Sequence, residues 1–304
     1  MLSCMQDLLA DLAKIIESSS PGDGMHGTPV PGVYCLKFSR TEPRSKRHWR
    51  ACLGIIAQGC KEVVLGPEIY RFDEGCYTAA PVDLPVVHRI AVASPRKPFL
   101  ALLIDLDPLI LTEIASRLDT PKEPENASRA VFIGKAGEQM LMAGTRLGNL
   151  FQKPSDAPVL GPLVVKEIIY HLLKGENGPA IRQFARAGSK THKISQAIHR
   201  IRSELNDDVD VAALAKAASM SRSAFFKHFR EVTTMSPIQY QKRLRLLEAR
   251  RLMIDVGETA EGSAFKAGYR SASQFSREYS RMFGGPPLRD AMKLKNAGYV
   301  ADSV

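Results

Sequence analysis

Apolar residues follow two rhythms along the chain. Between residue 33 and about residue 104 they come in short runs rich in β-branched and aromatic side chains: 33–38, 51–57, 62–65, 69–72, 86–92 and 99–105. Gly54, Gly59, Gly66, Gly75 and several prolines punctuate these runs. Short segments separated by turn residues predict antiparallel strands in a sandwich or barrel. Ahead of them, Leu8, Leu9, Leu12, Ile15 and Ile16 recur at helical spacing, which predicts an amphipathic helix followed by a loop over 18–31. After them the period lengthens. Asp107-Pro108 opens a helix to Leu118, and a charged loop follows over 119–128. Residues 130–151 carry helical periodicity, 153–162 is a Pro-rich break, and 163–173 is another helix. From Ala180 the pattern is helical almost to the end. The pattern predicts an α+β chain: a β-rich domain over 1–118, a helical linker or dimerisation region over 119–184, and an all-α domain over 185–304.

The last of these regions contains a duplication. In the stretch DVDVAALAKAASMSRSAFFKHFRE, Asp210 can cap a helix that begins at Val211, with Leu214 and Ala215 facing inward. Ser219-Met220-Ser221 forms a tight turn, and Ser221 can cap the next helix. Phe225 and Phe229 stand four apart and share the face that packs on the first helix, while Arg222, Ser223, Phe226, Lys227 and Arg230 lie away from it. An apolar seam holding two short helices, with a basic outer face on the second, is the layout of a helix-turn-helix. Ser236-Pro237 starts the next helix with proline at its first position. Farther on, SAFKAGYRSASQFSREYSRMFGGPP repeats the arrangement: Ala264 matches Ala215, Ser271 matches Ser221, Phe275 matches Phe225, and Tyr279 matches Phe229. Gly268 supplies the turn where the first copy has Ser219. Gly262 weakens the first helix of the second copy by about 1 kcal/mol relative to alanine. Tyr240, Leu244, Leu247 and Leu252 form one stripe of a helix that spaces the copies, with many Lys and Arg elsewhere on it. Two parallel second helices on such a spacer would enter successive major-groove segments about 34 Å apart.

Charge agrees with this reading. Residues 189–304 hold 20 Lys and Arg against 12 Asp and Glu, whereas the first 188 hold 22 against 20. A cationic C-terminal third points to a polyanionic partner. No run reaches the roughly 18 apolar residues of a membrane span, and the N-terminus lacks a basic n-region, so a cytoplasmic, nucleoid-associated location is expected, with no membrane partner. The cysteines, Cys4, Cys35, Cys52, Cys60 and Cys76, lack CxxC spacing and read as reduced, buried thiols; a redox- or electrophile-sensing thiol is the alternative. His26, His48 and His88 are scattered, with no HxH and downstream Glu, so no metal, cofactor or catalytic residue is expected.

Residues 193–290 resemble the DNA-binding domain of the AraC/XylS family of transcription regulators, through MSRSAFFKHFREVTTMSPIQYQKRLRLLEARRLM and AFKAGYRSASQFSREYSRMFGGPP. TPVPGVYCLKFSR, GIIAQGCKEVVLG, FDEGCYTAAPVDLPV and ASPRKPFLALLIDLDP resemble the N-terminal domain of one subgroup, which is cupin-like in fold. Thr233-Thr234 stands where most of the family carries Thr-Gly. By position, the resemblance implies base-edge contacts from Arg222, Ser223, Phe226 and Lys227 in the first copy. In the second they would come from Ala272, Ser273, Gln274, Ser276 and Arg277. Arg230, Arg243, Arg270 and Arg281 would face phosphates. It further implies an activator of transcription that is a homodimer, contacts RNA polymerase, and holds a small-molecule effector in the N-terminal domain. Candidate lining residues for that effector are Tyr34, Trp49, Cys52, Tyr77 and His88, with ordinary core packing as the default for each. Leu141, Leu147, Leu150 and Phe151 are a candidate dimer seam, with an intramolecular core as the default. Two other classes share parts of the pattern. A cysteine-dependent DNA-alkylation-repair protein needs four zinc-binding cysteines, which these spacings do not provide. A cupin enzyme with an incidental basic tail needs clustered histidines.

Overall fold

The computed structural model describes residues 2–118 and 129–296, with side chains from Met5 onward; the loop expected over 119–128 lies outside them. The leading helix α1 (Leu2–Ser18) is followed by nine strands: β1 (Gly24–Gly27), β2 (Val33–Phe38), β3 (Ser45–Trp49), β4 (Cys52–Gln58), β5 (Cys60–Leu65), β6 (Glu68–Asp73), β7 (Cys76–Ala80), β8 (Leu84–Val92) and β9 (Phe99–Asp105). Helix α2 (Pro108–Ala115) is capped by Asp107, whose carboxylate accepts from the Leu109 amide at 2.7 Å. Then come β10 (Phe132–Lys135), α3 (Glu138–Asn149), α4 (Ala157–Lys174), α5 (Gly178–Ala185) and α6 (Lys190–Ser203).

The strands form two antiparallel sheets, ordered β1-β2-β9-β4-β7-β10 and β3-β8-β5-β6. Alternation along the strands divides the work. In the first sheet Leu36, Gly54, Ile56, Ala101 and Leu103 face the second sheet across a shared interior. Leu53, Ile55, Leu100, Leu102 and Ile104 are buried on the opposite side, where α1 packs. Helix α1 also lies against α3 at Gly148, where a Cβ would stand 2.6 Å from Ile15 Cγ2. The interior is thus enclosed by two sheets rather than by one continuous sheet.

The structure departs from the sequence reading in three places. Strand β1 lies in the region expected as a loop, whereas β3 and β7 fall inside the strand-like region 33–104, between the apolar runs that mark it. Residues 132–135, expected as helix, pair with β7 at the edge of the first sheet; four residues are too few for either period to declare itself. The break expected over 153–162 ends early, because α4 starts at Ala157 and runs through Pro162. Its buried face, Ala157, Gly161, Val164, Val165 and Ile168, continues across the proline and anchors the first turns.

The C-terminal half carries the duplication as expected. The first module is α7 (Val211–Ala217) and α8 (Arg222–Thr233), α9 (Pro237–Arg251) is the spacer, and α10 (Ala260–Lys266) with α11 (Ala272–Phe283) is the second module; α12 (Pro287–Asn296) closes it. Asp210 caps α7 through the Ala212 and Ala213 amides, Ser221 caps α8, and Ser236 makes a capping box with Gln239. The two turns close identically: the Met220 amide donates to the Ala215 carbonyl and the Tyr269 amide to the Ala264 carbonyl, both at 2.9 Å. Ser219 and Gly268 hold the left-handed position, φ 53° and 84°. Thr234, at the end of α8, is also left-handed, φ 63°. Its side chain covers Gly66 in the β5–β6 turn: a Cβ on Gly66 would lie 2.9 Å from Thr234 Cβ. Phe225 and Phe229 are fully buried with ring centres 5.7 Å apart, and Phe275 and Tyr279 repeat this at 5.4 Å. The first module shares one continuous core with the β-sheets, whereas the second has its own, built on Ala264, Tyr269, Phe275 and Tyr279.

Ser219 is exposed, so the left-handed backbone is its main cost. Ser219→Gly should raise unfolding stability by about 0.5–1 kcal/mol, the relief of the Cβ clash less the greater freedom of glycine in the unfolded chain. Urea titration monitored by circular dichroism checks it.

Candidate nucleic-acid interface and ligand cavity

On α8, Arg222, Ser223, Lys227 and Arg230 are exposed, while Phe226 is half-buried beneath the Arg222 guanidinium, 5.9 Å from the ring centre. On α11, Ser273, Gln274, Ser276, Arg277 and Arg281 are exposed and Ala272 is half-buried. The serine caps expose the first turn of each helix, and the Phe/Phe and Phe/Tyr pairs hold the opposite face down. Each module therefore presents a cationic, hydrogen-bonding helix face suited to a major groove. Arg243 is exposed on α9, and Arg270 is exposed with Asp208 at 2.9 Å.

Other arginines of α9, which the sequence presented as part of a basic face, are structural. Arg245 donates to the Leu205 carbonyl at 2.7 Å and to the Asp207 carbonyl at 2.8 Å, and Arg250 pairs with Asp290 at 3.0 Å. Glu278 of α11, not singled out from the sequence, accepts from Lys242, Tyr269 and Gln274. The one signal for it in the sequence is its spacing from Gln274, one helical turn.

Between the sheets lies a cavity of about 60 Å³ lined mostly by apolar side chains, among them Leu36, Ile56, Phe99 and Leu103. Polar groups enter it as well: Lys61, Arg50, His48 and Asp105. Of the effector candidates, Trp49 and Cys52 line it. Tyr34 stands beside it, its hydroxyl bonded to the Asp105 carboxyl; burial pushes that carboxyl above its ordinary range. His88 lies behind Trp49 and accepts from Arg47 Nε at 3.2 Å. Burial, with the Lys61 and Arg47 charges, pushes its pKa far down and keeps the ring neutral. Tyr77 faces away from the cavity, where Asn177 donates to its hydroxyl at 3.0 Å. Lys61, not named from the sequence, is buried with its ammonium 4.9 Å from the Trp49 ring centre. Burial raises the Cys35 and Cys60 thiols to about 12, which leaves them without thiolate character near neutrality.

The two halves meet at β3 and α9. Tyr240, fully buried, donates its hydroxyl to the Asp83 carbonyl at 2.8 Å. The Asp83 carboxylate lies 2.6 Å from Arg202 and 3.5 Å from His48, and the Ala51 amide donates to it. Burial pushes this carboxyl up, but these partners outweigh it and hold it below the ordinary range. Lys46 Nζ donates to the Met282 carbonyl at the end of α11 and lies 5.9 Å from the Phe283 ring, which also has Arg250 at 4.2 Å. A lysine on the last carbonyls of a helix satisfies orphan acceptors and complements the dipole. Of the two readings of Leu141, Leu147, Leu150 and Phe151, the default holds: they are buried within the chain against the α1 and α4 layer, not on a free seam.

A family model described as the AraC-type transcriptional regulator N-terminus matches residues 29–180, and one described as a helix-turn-helix domain matches residues 214–290. The chain belongs to the AraC-type transcriptional regulators. Among curated members of this family, it is 23% identical over 141 residues to the regulator ArgR of Pseudomonas aeruginosa, covering 46% of this chain and 43% of that protein. It is 25% identical over 156 residues to the activator RhaS of Pectobacterium carotovorum, covering 51% and 54%. The AraC-type chain thus spans about half the length, or less, of these relatives. A crystal structure of ToxT from Vibrio cholerae with an unsaturated fatty acid bound superposes with TM-score 0.58 at 14% identity, over 90% of this chain and 96% of that one. A ligand-free, singly substituted ToxT superposes with the same TM-score, 0.58, at 12% identity, over 86% and 97%. That likeness concerns the fold.

Replacing Arg277 by alanine should lower specific operator affinity about 5- to 160-fold and relax selection at one base position. Equal loss on specific and random duplexes in a competition assay would make Arg277 a phosphate contact.

Proposed function

We propose that this AraC-type chain is a one-component regulator, an activator, that reads double-stranded DNA with α8 and α11 and responds to a small molecule held between its sheets. The carrying observation is strand β3. It sits at a sheet edge, paired with β8. Its Trp49 lines the cavity and its Arg47 is buried beside His88, while Lys46 grips α11 and His48 reaches Asp83 at the seam between the halves. A ligand that moves Trp49 therefore moves the strand that holds the second reading helix. Arg50 and Asp105 line both the cavity and a cleft of about 490 Å³ bordered by α4 and α6.

The lining suits a small apolar body with an anionic end: about 60 Å³ admits a short one as the sheets stand, and a longer chain requires the sheets to part. The apolar lining takes the body, and Lys61 and Arg50 take the charge. The fatty acid in the ToxT structure supports the same class. The interior supports binding rather than catalysis: Asp105 is bonded to Tyr34, and His88 accepts from Arg47. We place the homodimer contact on the exposed apolar face of α4, at Val159, Leu160 and Leu163, in place of the buried seam. Activation calls for contact with RNA polymerase, for which exposed Phe265, Leu288 and Met292 of the second module offer a surface. No helix among the described residues is long and apolar enough to cross a membrane, and the cytoplasm, beside the nucleoid, is where such a protein would act.

Trp49, the single tryptophan, reports on the cavity. Short- and medium-chain carboxylic acids should change its fluorescence saturably, and Lys61→Met should weaken them about ten-fold or more while sparing the matching alcohols. Equal weakening of both would remove Lys61 from charge recognition. Lys46→Met should leave ligand affinity within about two-fold and abolish the ligand's effect on operator affinity. A ligand response that survives would sink the β3 route.

A further inference from the structure

The second reading helix contains a fixed side chain that the first lacks. Gln274 Nε2 donates to Glu278 Oε1 at 3.2 Å, one turn along α11. Glu278 is largely covered, 18% exposed. Lys242 Nζ of the spacer helix donates to its Oε1 at 2.7 Å, and the Tyr269 hydroxyl donates to its Oε2 at 3.0 Å. In the first module the matching positions are Ala224 and His228, and His228 is turned to Glu231 at 2.8 Å.

The chemistry of this arrangement is directional. A carboxylate only accepts hydrogen bonds, so the Gln274 amide can meet it only with its NH₂ group. Burial pushes the Glu278 carboxyl up, but Lys242, Gln274 and Tyr269 outweigh it, so it remains charged and acceptor-only. The amide then cannot turn over. One N–H is spent on Glu278, and the edge left for DNA carries the carbonyl oxygen and the other N–H. That edge matches adenine, which offers a donor at N6 and an acceptor at N7. Guanine offers acceptors at both O6 and N7, so the held amide sets its oxygen against one of them, and only an amide with both N–H groups free could donate to the pair.

We propose that Glu278 is a specificity-determining positioning residue: it locks the Gln274 amide in the one orientation that reads adenine and rejects guanine. The inference rests on the proposed base contact of Gln274. It assigns Lys242 and Tyr269 a role in operator choice without contact to any base, since they fix the carboxylate. Because the first module has no such lock, the two half-sites should differ in strictness, the second being the more selective.

The test is binding-site selection from a randomised duplex pool with the full chain, comparing wild type with Gln274→Ala, Glu278→Gln and Glu278→Ala. Glu278→Gln keeps an oxygen on Lys242, and the Gln274 amide donates to that same oxygen, so this variant preserves the lock, whereas Glu278→Ala removes the acceptor and frees both N–H groups. Thermal melting within a few degrees of wild type qualifies each variant as folded. Wild type should prefer adenine over guanine by about ten-fold at one position in the half-site of the second module. Gln274→Ala should flatten that position. Glu278→Ala should keep binding and bring adenine and guanine to within about two-fold at that position alone, while Glu278→Gln should select as wild type does. If Gln274→Ala flattens the position but Glu278→Ala selects as wild type does, the role of Glu278 is overturned. If Gln274→Ala alters no position, the base contact itself is wrong, and the inference falls with it.

Discussion

The burial of Tyr240 holds the molecule in register. Its ring meets the edge of Phe229 at 5.6 Å, inside the first module, and its hydroxyl reaches back to the Asp83 carbonyl of the N-terminal half. One side chain thus belongs to the spacer helix, to the seam of the first module and to the contact between halves. A buried hydroxyl without an acceptor costs on the order of 1–3 kcal/mol, so moving the N-terminal half away from α9 requires a new partner for Tyr240. Around it, Arg202, His48 and Asp83 supply a polar bridge, and Leu244 and Leu247 continue the apolar stripe on either side of the arginines.

The two modules are consequently tied down differently. The first is continuous with the core of the β-sheets and moves with them. The second has a separate core and meets the N-terminal half through Lys46 at its last carbonyls. A joint that rests on an ammonium, itself disfavoured as a charge by burial and by Arg243 and Arg250, is easier to release than a packed seam. The fold therefore concentrates adjustability in the second module, which also carries the fixed glutamine.

Legibility in the sequence followed the locality of the physics. Caps at Asp210, Ser221 and Ser236, the left-handed turns, and the Phe225/Phe229 and Phe275/Tyr279 seams are matters of a few consecutive residues, and the structure has each where the pattern put it. Strands with two buried faces, such as β4 and β9, were plain from their unbroken apolar runs. Strand β3, SKRHW, was not, because it lies at an edge and its polar residues are justified only by partners far along the chain: Met282 for Lys46, His88 for Arg47, Asp83 for His48. The same non-locality hid the structural duties of Arg245 and Arg250, which composition alone assigns to a polyanion. Trp49 and Cys52 were placed at the cavity by residue type, while Tyr77, equally aromatic and on a strand, fell on the other face because one step along a strand reverses direction.

Thr234 and Gly66 close the account. A β-branched residue in the left-handed region sits about 1–2 kcal/mol above its preferred conformations, and its methyl and hydroxyl occupy the space that any side chain at position 66 would need. Gly66 is itself left-handed, φ 63°, so a side chain there is strained whatever stands at 234, and a glycine at 234 removes the collision without removing that strain. At this point of contact the α8 side therefore has more freedom to vary than the turn it covers.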